Sequence, residues 1–464
     1  MKKAILAAAL TAAMLLPTSL TSQAATNSSI QVVINGVQQN YEQMPQVIHG
    51  TTMVPMRAIF ESLGAKIEWD EVKQEAIGTK NGISVELQIG SKKAWSNNKA
   101  AELEVAPQLI NGKTMIPARY VSEALGMYVS WDNSEKTVYI SEDRALNGRT
   151  KKEIKEKYIE YAPTHAGSIY ADKPVVTAPY APGKLQKSVI EDAVKRVNFV
   201  RYLAGMPHDI VIDEDLINQA QYGAVLTAVH KELNHYPQKP ADMSEEFYKI
   251  GYESTKTSNL HSIYSSQNLE NTGFVADSVN DYMSDLGLNN LPQVGHRRWI
   301  LNPELQKMGF GFAENNNIDN WFAGYSSMQV LDESRTEKVK YDYVTWPSDG
   351  YFPNSLMDPL TPWSITLSKY LYHSPDLNKI SVKLVRESDN RVWNLSAADN
   401  DVTEDGKYFN VVPHAYQRNG TVIFRPDGII KYRDSDKFTV EISGIETRSQ
   451  GQTTLIYEVN FFNL

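Results

Sequence analysis

The spacing of apolar residues changes twice along this chain. From residue 29 to 142, short apolar stretches alternate with polar turns, and one pattern occurs twice. Gly50 to Asp70 reads GTTMVPMRAIFESLGAKIEWD and Gly112 to Asp132 reads GKTMIPARYVSEALGMYVSWD, an offset of 62 residues with 10 of 21 positions identical. Each copy predicts a strand running into Met-x-Pro-x-Arg, a short amphipathic helix, and a strand ending in Trp-Asp. Proline fits the first helical turn, where the N–H it lacks would have no partner. Gly64 and Gly126 fall just past the helix end, where positive φ is favoured. A polar turn and another strand (Glu75–Ile77, Thr137–Ile140) follow each Trp-Asp. Trp69 and Trp131 read as core anchors of the repeats, with stacking on a glycan as the other reading if they are exposed.

Residues 143–187 read as a connector. Charges alternate at helical spacing over Thr150–Glu160, predicting a solvated helix, and Pro163, Pro174, Pro179 and Pro182 punctuate an extended stretch. Over 188–334 the period is largely helical. Ser188-Val-Ile-Glu191 reads as a capping box opening a helix with the stripe Val194, Val197, Val200 and Leu203. Further helices are predicted over Glu214–Lys231, from Ser244 and from Ser278, with strands near Met308–Ala313 and Trp321–Tyr325. Over 338–464 the period is two, as in Trp363/Ile365/Leu367 and Phe438/Val440/Ile442. Asp405-Gly406, Asn419-Gly420 and Asp427-Gly428 read as turns between about seven short strands, which predicts an antiparallel β-sandwich.

Composition narrows the function. The 464 residues are 42% hydrophobic with a net charge of −9, and no block of Lys and Arg interrupts that acidity, which argues against a nucleic-acid partner. The chain has no cysteine, so disulfides, thiolate nucleophiles and cysteine-bound metals are excluded. Lys2 and Lys3, the apolar run Ala4–Leu16, Pro17 and the small-residue segment to Ala24 read as a secretory signal peptide over residues 1–25. That run is shorter than the roughly 20 apolar residues of a spanning helix, so the mature protein is expected to be secreted, extracellular or cell-wall associated, with no transmembrane segment.

The duplicated unit, residues 29–142, resembles the copper amine oxidase N-terminal-like domain, also called the stalk domain, of secreted bacterial proteins. Oxidase chemistry is not expected: Asn40-Tyr41-Glu42 matches the quinone tripeptide, but no His-x-His pair exists to hold copper. Residues 188–334 resemble the CAP superfamily of cysteine-rich secretory and pathogenesis-related proteins. The resemblance rests on an ordered set: Asn198-x-x-Arg201-x-x-x-Gly205-Met-Pro207, then His235, Gly251-Tyr252 and Ser258-Asn259-Leu260. Gly295-His296-Arg297-Arg298-Trp299-Ile300-Leu301-Asn302-Pro303 and Gly309-Phe310-Gly311 complete it. The expected fold class is multidomain α+β: a duplicated small α/β stalk domain, a central α-β-α sandwich and a C-terminal antiparallel β-sandwich.

Many members of that superfamily hold two His and two Glu in a cleft that binds a divalent metal. By motif, the resemblance places the imidazoles at His235 and His296. Ser258 stands where the first Glu is usual, and Asp285, three residues after Tyr282, where the second is. The implied binding cleft is His235, Ser258, Asn259, Asp285, His296 and Arg297, with His235 and His296 as ligands for an ion such as zinc. Two imidazoles, a carboxylate and a water at about 2.0–2.2 Å are a conceivable zinc set, though one carboxylate fewer weakens it. The leading expectation is a non-enzymatic module binding a small ligand, a lipid, a divalent metal or a cell-wall polymer. The rival is a metal-assisted hydrolase of peptide or cell-wall material using His235, His296 and Asp285. An acyl transfer through Ser258 lacks a Gly-x-Ser-x-Gly elbow. His230 and His261 read as surface or loop residues, and Asn198 and Arg201 as partners of backbone groups.

Overall fold

A computed structural model describes residues 29–35, 37–133, 135–141, 148–287, 289–315, 321–401, 406–415, 419–449 and 451–464. The expected signal peptide lies outside them. The chain divides into two compact units, Met1–Glu142 and Asp143–Leu464.

In the first unit each repeat forms the predicted helix, α1 (Met56–Ser62) and α2 (Ala118–Ala124), and Gly64 and Gly126 have φ of +71° and +80°. The strands entering the two helices pair with one another. Met53, Val54 and Pro55 lie opposite Pro117, Ile116 and Met115, so equivalent residues of the repeats exchange places across a local twofold. The Trp-Asp strands form hairpins in separate sheets, Lys66–Asp70 with Glu75–Lys80 and Tyr128–Asp132 with Thr137–Ser141. The N-terminal strand Gln31–Ile34 runs parallel to Thr137–Ser141 and ties the first repeat to the second. Trp69 and Trp131 are not core anchors. They point to the open faces of their hairpins and are each 37% exposed, because the core is filled by Val54, Phe60, Ile116 and Val121.

In the second unit α4 (Lys187–Leu203), α5 (Glu214–His230), α6 (Glu245–Thr257) and α7 (Phe274–Ser284) surround a four-stranded sheet. Its strand order is Val211–Ile212, Lys307–Glu314, Phe322–Gln329, Ser258–Ser265. Alternation along Lys307–Glu314 separates the two faces. Met308, Phe310 and Phe312 pack with residues of α4 and α7, whereas Gly309 and Gly311 lie under α5. A Cβ on Gly311 would stand 2.2 Å from the Ala220 carbonyl oxygen, so glycine there allows helix and sheet backbones to approach.

Two features depart from the sequence reading. Helix α4 begins after Gln186, not at a Ser188 capping box, because the Ser188 hydroxyl is bonded to the His165 ring at 2.8 Å. The connector is not a linker either: it forms α3 (Lys151–Glu160), capped reciprocally by Thr150 and Glu153, and buries Ile154 completely. Arg149, just before it, donates to the carbonyls of Tyr202, Leu203 and Asp349 and so joins α4 to the C-terminal region.

That region contains nine strands among the described residues, in a sheet of four and a sheet of five. One pair is parallel, Gly350–Pro353 beside Val459–Phe462; strands so distant in sequence are free of the hairpin constraint that makes neighbours antiparallel. Gly420 lies in a strand, not a turn, and a Cβ there would collide with the Pro375 ring. Trp363 bridges the sheets, contacting Phe424 in its own and Phe438 and Phe461 in the other. A single buried cluster runs from Ile154 through Val197, Phe310 and Ile300 to Trp363 and Val459, so connector, helical layer and C-terminal sheets share one core. No helix among the described residues is long and apolar enough to cross a membrane.

Candidate functional site

The expected cleft residues separate into two groups, and strand alternation is the reason. On strand Ser258–Ser265, Ser258 points toward α6, where its hydroxyl donates to the Ser254 carbonyl (2.6 Å) and accepts from Ser327 (2.7 Å) and Gln329 (2.9 Å). It is buried in this hydroxyl cluster. Asn259 points the other way, and its amide donates to the His296 carbonyl (3.2 Å). His261, two residues on, shares that face. Its ring stacks on Phe274 and meets the edge of Tyr282 at 5.7 Å; Tyr282 in turn meets His296 at 5.3 Å. The hydroxyl of Tyr282 is held by Ser326 at 2.7 Å.

His296 sits in α8 (Gly295–Ile300), entered through Val294 at a φ of +42°. Asp285, the left-handed residue ending α7, is 1% exposed. Its Oδ2 accepts the Arg297 N–H (3.1 Å), and its Oδ1 stands 3.1 Å from Nδ1 of His296. Arg297 is buried as well. Its guanidinium donates to the carbonyls of Met283 (2.7 Å), Ser284 (3.3 Å) and Pro362 (2.7 Å) and to the Ser364 hydroxyl (2.9 Å). Burial draws its pKa down to about 10, against the opposing pull of Asp285, so it stays charged at neutral pH.

His235 does not join this group. Its exposed residue lies in the loop after α5, and its Nδ1 is bonded to the Thr255 carbonyl at 2.6 Å. The expected metal set of His235, His296 and Asp285 is therefore not assembled, and among the described residues no three His, Asp or Glu side chains could hold a metal ion together. Asp285 accepts a backbone N–H and faces only the His296 imidazole, while His235 is bonded elsewhere, to the Thr255 carbonyl, so the donors a divalent metal would need are not brought together. Asn198 and Arg201 do partner backbone groups. Asn198 exchanges hydrogen bonds with Ile210, and Arg201 donates to the carbonyls of Pro207, Ile300 and Asn302.

His261 was missed by sequence reasoning, which took it for a surface residue. The usable signal was its two-residue spacing from Asn259 on a strand. Burial, with His296 adding to it, pulls its pKa down to about 4. Nδ1 is buried with no hydrogen-bond partner, and Nε2 lies 3.6 Å from Oδ2 of Asp281, whose own pKa is raised by burial and then by Asp277. The ring is thus neutral in the folded protein where an ordinary imidazole would be charged. As pH falls from about 6.5 to about 4, the unfolded chain takes up a proton that the folded one does not. Stability is lost through that window, by up to about 3 kcal/mol. In His261→Gln the loss of unfolding free energy between about pH 7.5 and about pH 4.5 should shrink by about 2 kcal/mol relative to wild type. Equal losses in denaturant titrations of the two proteins would show that the imidazole is not buried neutral.

Two parts of the chain match known families. Residues 33–140 match the copper amine oxidase N-terminal domain, and residues 194–326 match the cysteine-rich secretory protein family, the CAP domain. The chain is also 29% identical over 123 residues to a protein of Brevibacillus choshinensis named a protease inhibitor. The matched stretch is 26% of this chain and spans 37% of that relative's length.

Proposed function

We propose that the chain is an exported protein whose second unit is a non-enzymatic binding module, positioned outside the cell by the stalk unit and the C-terminal β-sandwich. The observation that carries this reading is the closed environment of Asp285. A carboxylate that accepts the Arg297 N–H, faces His296 and is almost inaccessible is poorly placed to activate a water as general base. The two imidazoles expected to act together have separate partners. A relative named as a protease inhibitor has a binding role by its name, which supports the same class of function here. The ligand-facing candidates are the partly exposed imidazoles of His261 and His296, which pack against the buried ring of Tyr282 and whose chemistry suits a small organic molecule or a lipid.

The test uses the full chain. Peptide, ester and glycan substrates should give no product above buffer, with or without added zinc. Palmitate should raise the melting temperature of the second unit in proportion to the logarithm of its concentration. Product release that disappears in His296→Ala would overturn the reading and establish the hydrolase. N-terminal sequencing of protein recovered from the culture medium should begin near Ala25 if the export signal is cleaved as proposed.

A further inference from the structure

The first unit contains two clefts, of about 510 and 540 Å³, a size suited to small ligands. They are copies of one another. In the first, Gly50–Thr52 of one repeat faces Pro117, Arg119 and Glu123 of the other. In the second, Gly112–Thr114 faces Pro55, Arg57 and Glu61, each residue displaced by 62 positions. The contact that crosses each cleft is duplicated too: Thr51 Oγ1 donates to Glu104 at 3.0 Å, and Lys113 Nζ donates to Glu42 at 2.9 Å. One tyrosine lines each cleft, from opposite walls. Tyr120 stands where the twin has Ala58, and Tyr41 stands where the other cleft has Leu103.

The copies have diverged in one respect that matters chemically. The first cleft has an added wall, Val129 to Trp131, with the indole of Trp131 37% exposed. Trp69, its repeat equivalent, is equally exposed but lines neither cleft. In the first cleft the crossing contact is a neutral hydroxyl on a carboxylate; in the twin an ion pair closes the same place.

We propose that the Trp131 cleft of the first unit is a binding site for a neutral pyranose glycan. A half-exposed indole offers a flat apolar surface to the C–H face of a sugar ring. The hydroxyls around such a ring both donate and accept. Glu102 and Glu104 supply acceptors, Thr51 and Ser130 supply both functions, and Arg119 supplies donors. The Arg119 guanidinium is held in place by Glu123 (3.3 Å) and the Val129 carbonyl (3.4 Å). Three carboxylates against one guanidinium give the cleft a negative balance, which repels phosphate-bearing and uronate polymers and leaves uncharged sugars as the matching class. The site rests on the first unit alone and stands whatever the second unit binds.

The experiment is co-sedimentation of the full chain with insoluble chitin, cellulose and β-1,3-glucan, with soluble monosaccharide as competitor. At least one polymer should retain the protein, and retention should persist in about 1 M NaCl, where exposed charges are screened within about 3 Å. Trp131→Ala and, separately, Arg119→Ala should each weaken binding about tenfold, a loss of about 1.4 kcal/mol. Trp69→Ala should change it less than twofold, with the unfolding transition of the first unit checked in all three. Failure of wild type to bind any of the polymers overturns the proposal, and so does an equal loss in Trp69→Ala. Binding that vanishes in high salt would also overturn it, since charge and not stacking on the indole would then hold the polymer. Competition by the polymer's own free monosaccharide would support the proposal, the single ring occupying the same indole face.

Discussion

Arg297→Ala is expected to destabilise the second unit by about 3–5 kcal/mol while leaving the first unit's transition in place. The magnitude follows from what the side chain holds together. It is 1% exposed and donates to Met283 and Ser284 at the end of α7 and to Pro362 and Ser364 in the C-terminal sheet. Removing it leaves those acceptors without a donor in a place water does not reach, and leaves the buried carboxylate of Asp285 without its compensating cation. Arg297→Lys should recover little, because a single ammonium cannot reproduce a fork that reaches two elements at once. The check is denaturant unfolding of the full chain followed by circular dichroism. A change below about 1 kcal/mol would mean these hydrogen bonds are replaced by water and the junction is open.

The second large effect is expected at Trp363. This indole is fully buried between the two C-terminal sheets, packs on Phe424, Phe438 and Phe461, and donates to the Tyr432 hydroxyl at 2.8 Å. Trp363→Ala should lower stability by about 3–5 kcal/mol, through lost contacts and the cavity left behind. Trp363→Phe should lower it less, since the ring volume is largely kept and one hydrogen bond is lost. The sharper expectation concerns where the damage is felt. Because one core continues from these sheets into Phe310 and Val197, amides of strand Lys307–Glu314 should lose hydrogen-exchange protection together with those of Trp363–Leu367. Persistent protection of the first strand with the second exchanging would show that the helical layer and the C-terminal sheets unfold separately.

The same shared core explains why residues 143–187 pack as part of the second unit and not as a free linker. Prolines and alternating charges carry information about local conformation, and the helix read over Thr150–Glu160 is found as Lys151–Glu160 with Thr150 as its N-cap. That Ile154 is buried, and that Arg149 reaches residues up to 200 positions away, has no local signature. The Ser188 capping box failed for a related reason: a hydroxyl that could cap α4 found a competing partner in the His165 ring. Trp69 and Trp131 were misjudged because a large aromatic in a strand is more often buried than not, and which face of a hairpin is covered depends on what packs there.

By itself the sequence determined the duplication, the position of most helices and strands, and the left-handed glycines Gly64 and Gly126 that end the two repeat helices. These depend on residues within a turn or a strand of one another, so their periodicity is visible along the chain. It also identified His296, Asp285, Asn259 and Arg297, which do come together. Tertiary structure alone decided that Ser258 faces a hydroxyl cluster, that His235 stays apart, and that His261 enters the wall as a neutral buried ring. Those outcomes were set by partners far away in sequence. The direction of a polar side chain in a core is fixed by which distant donor or acceptor can satisfy it, as Arg297 finds Pro362 across 65 positions.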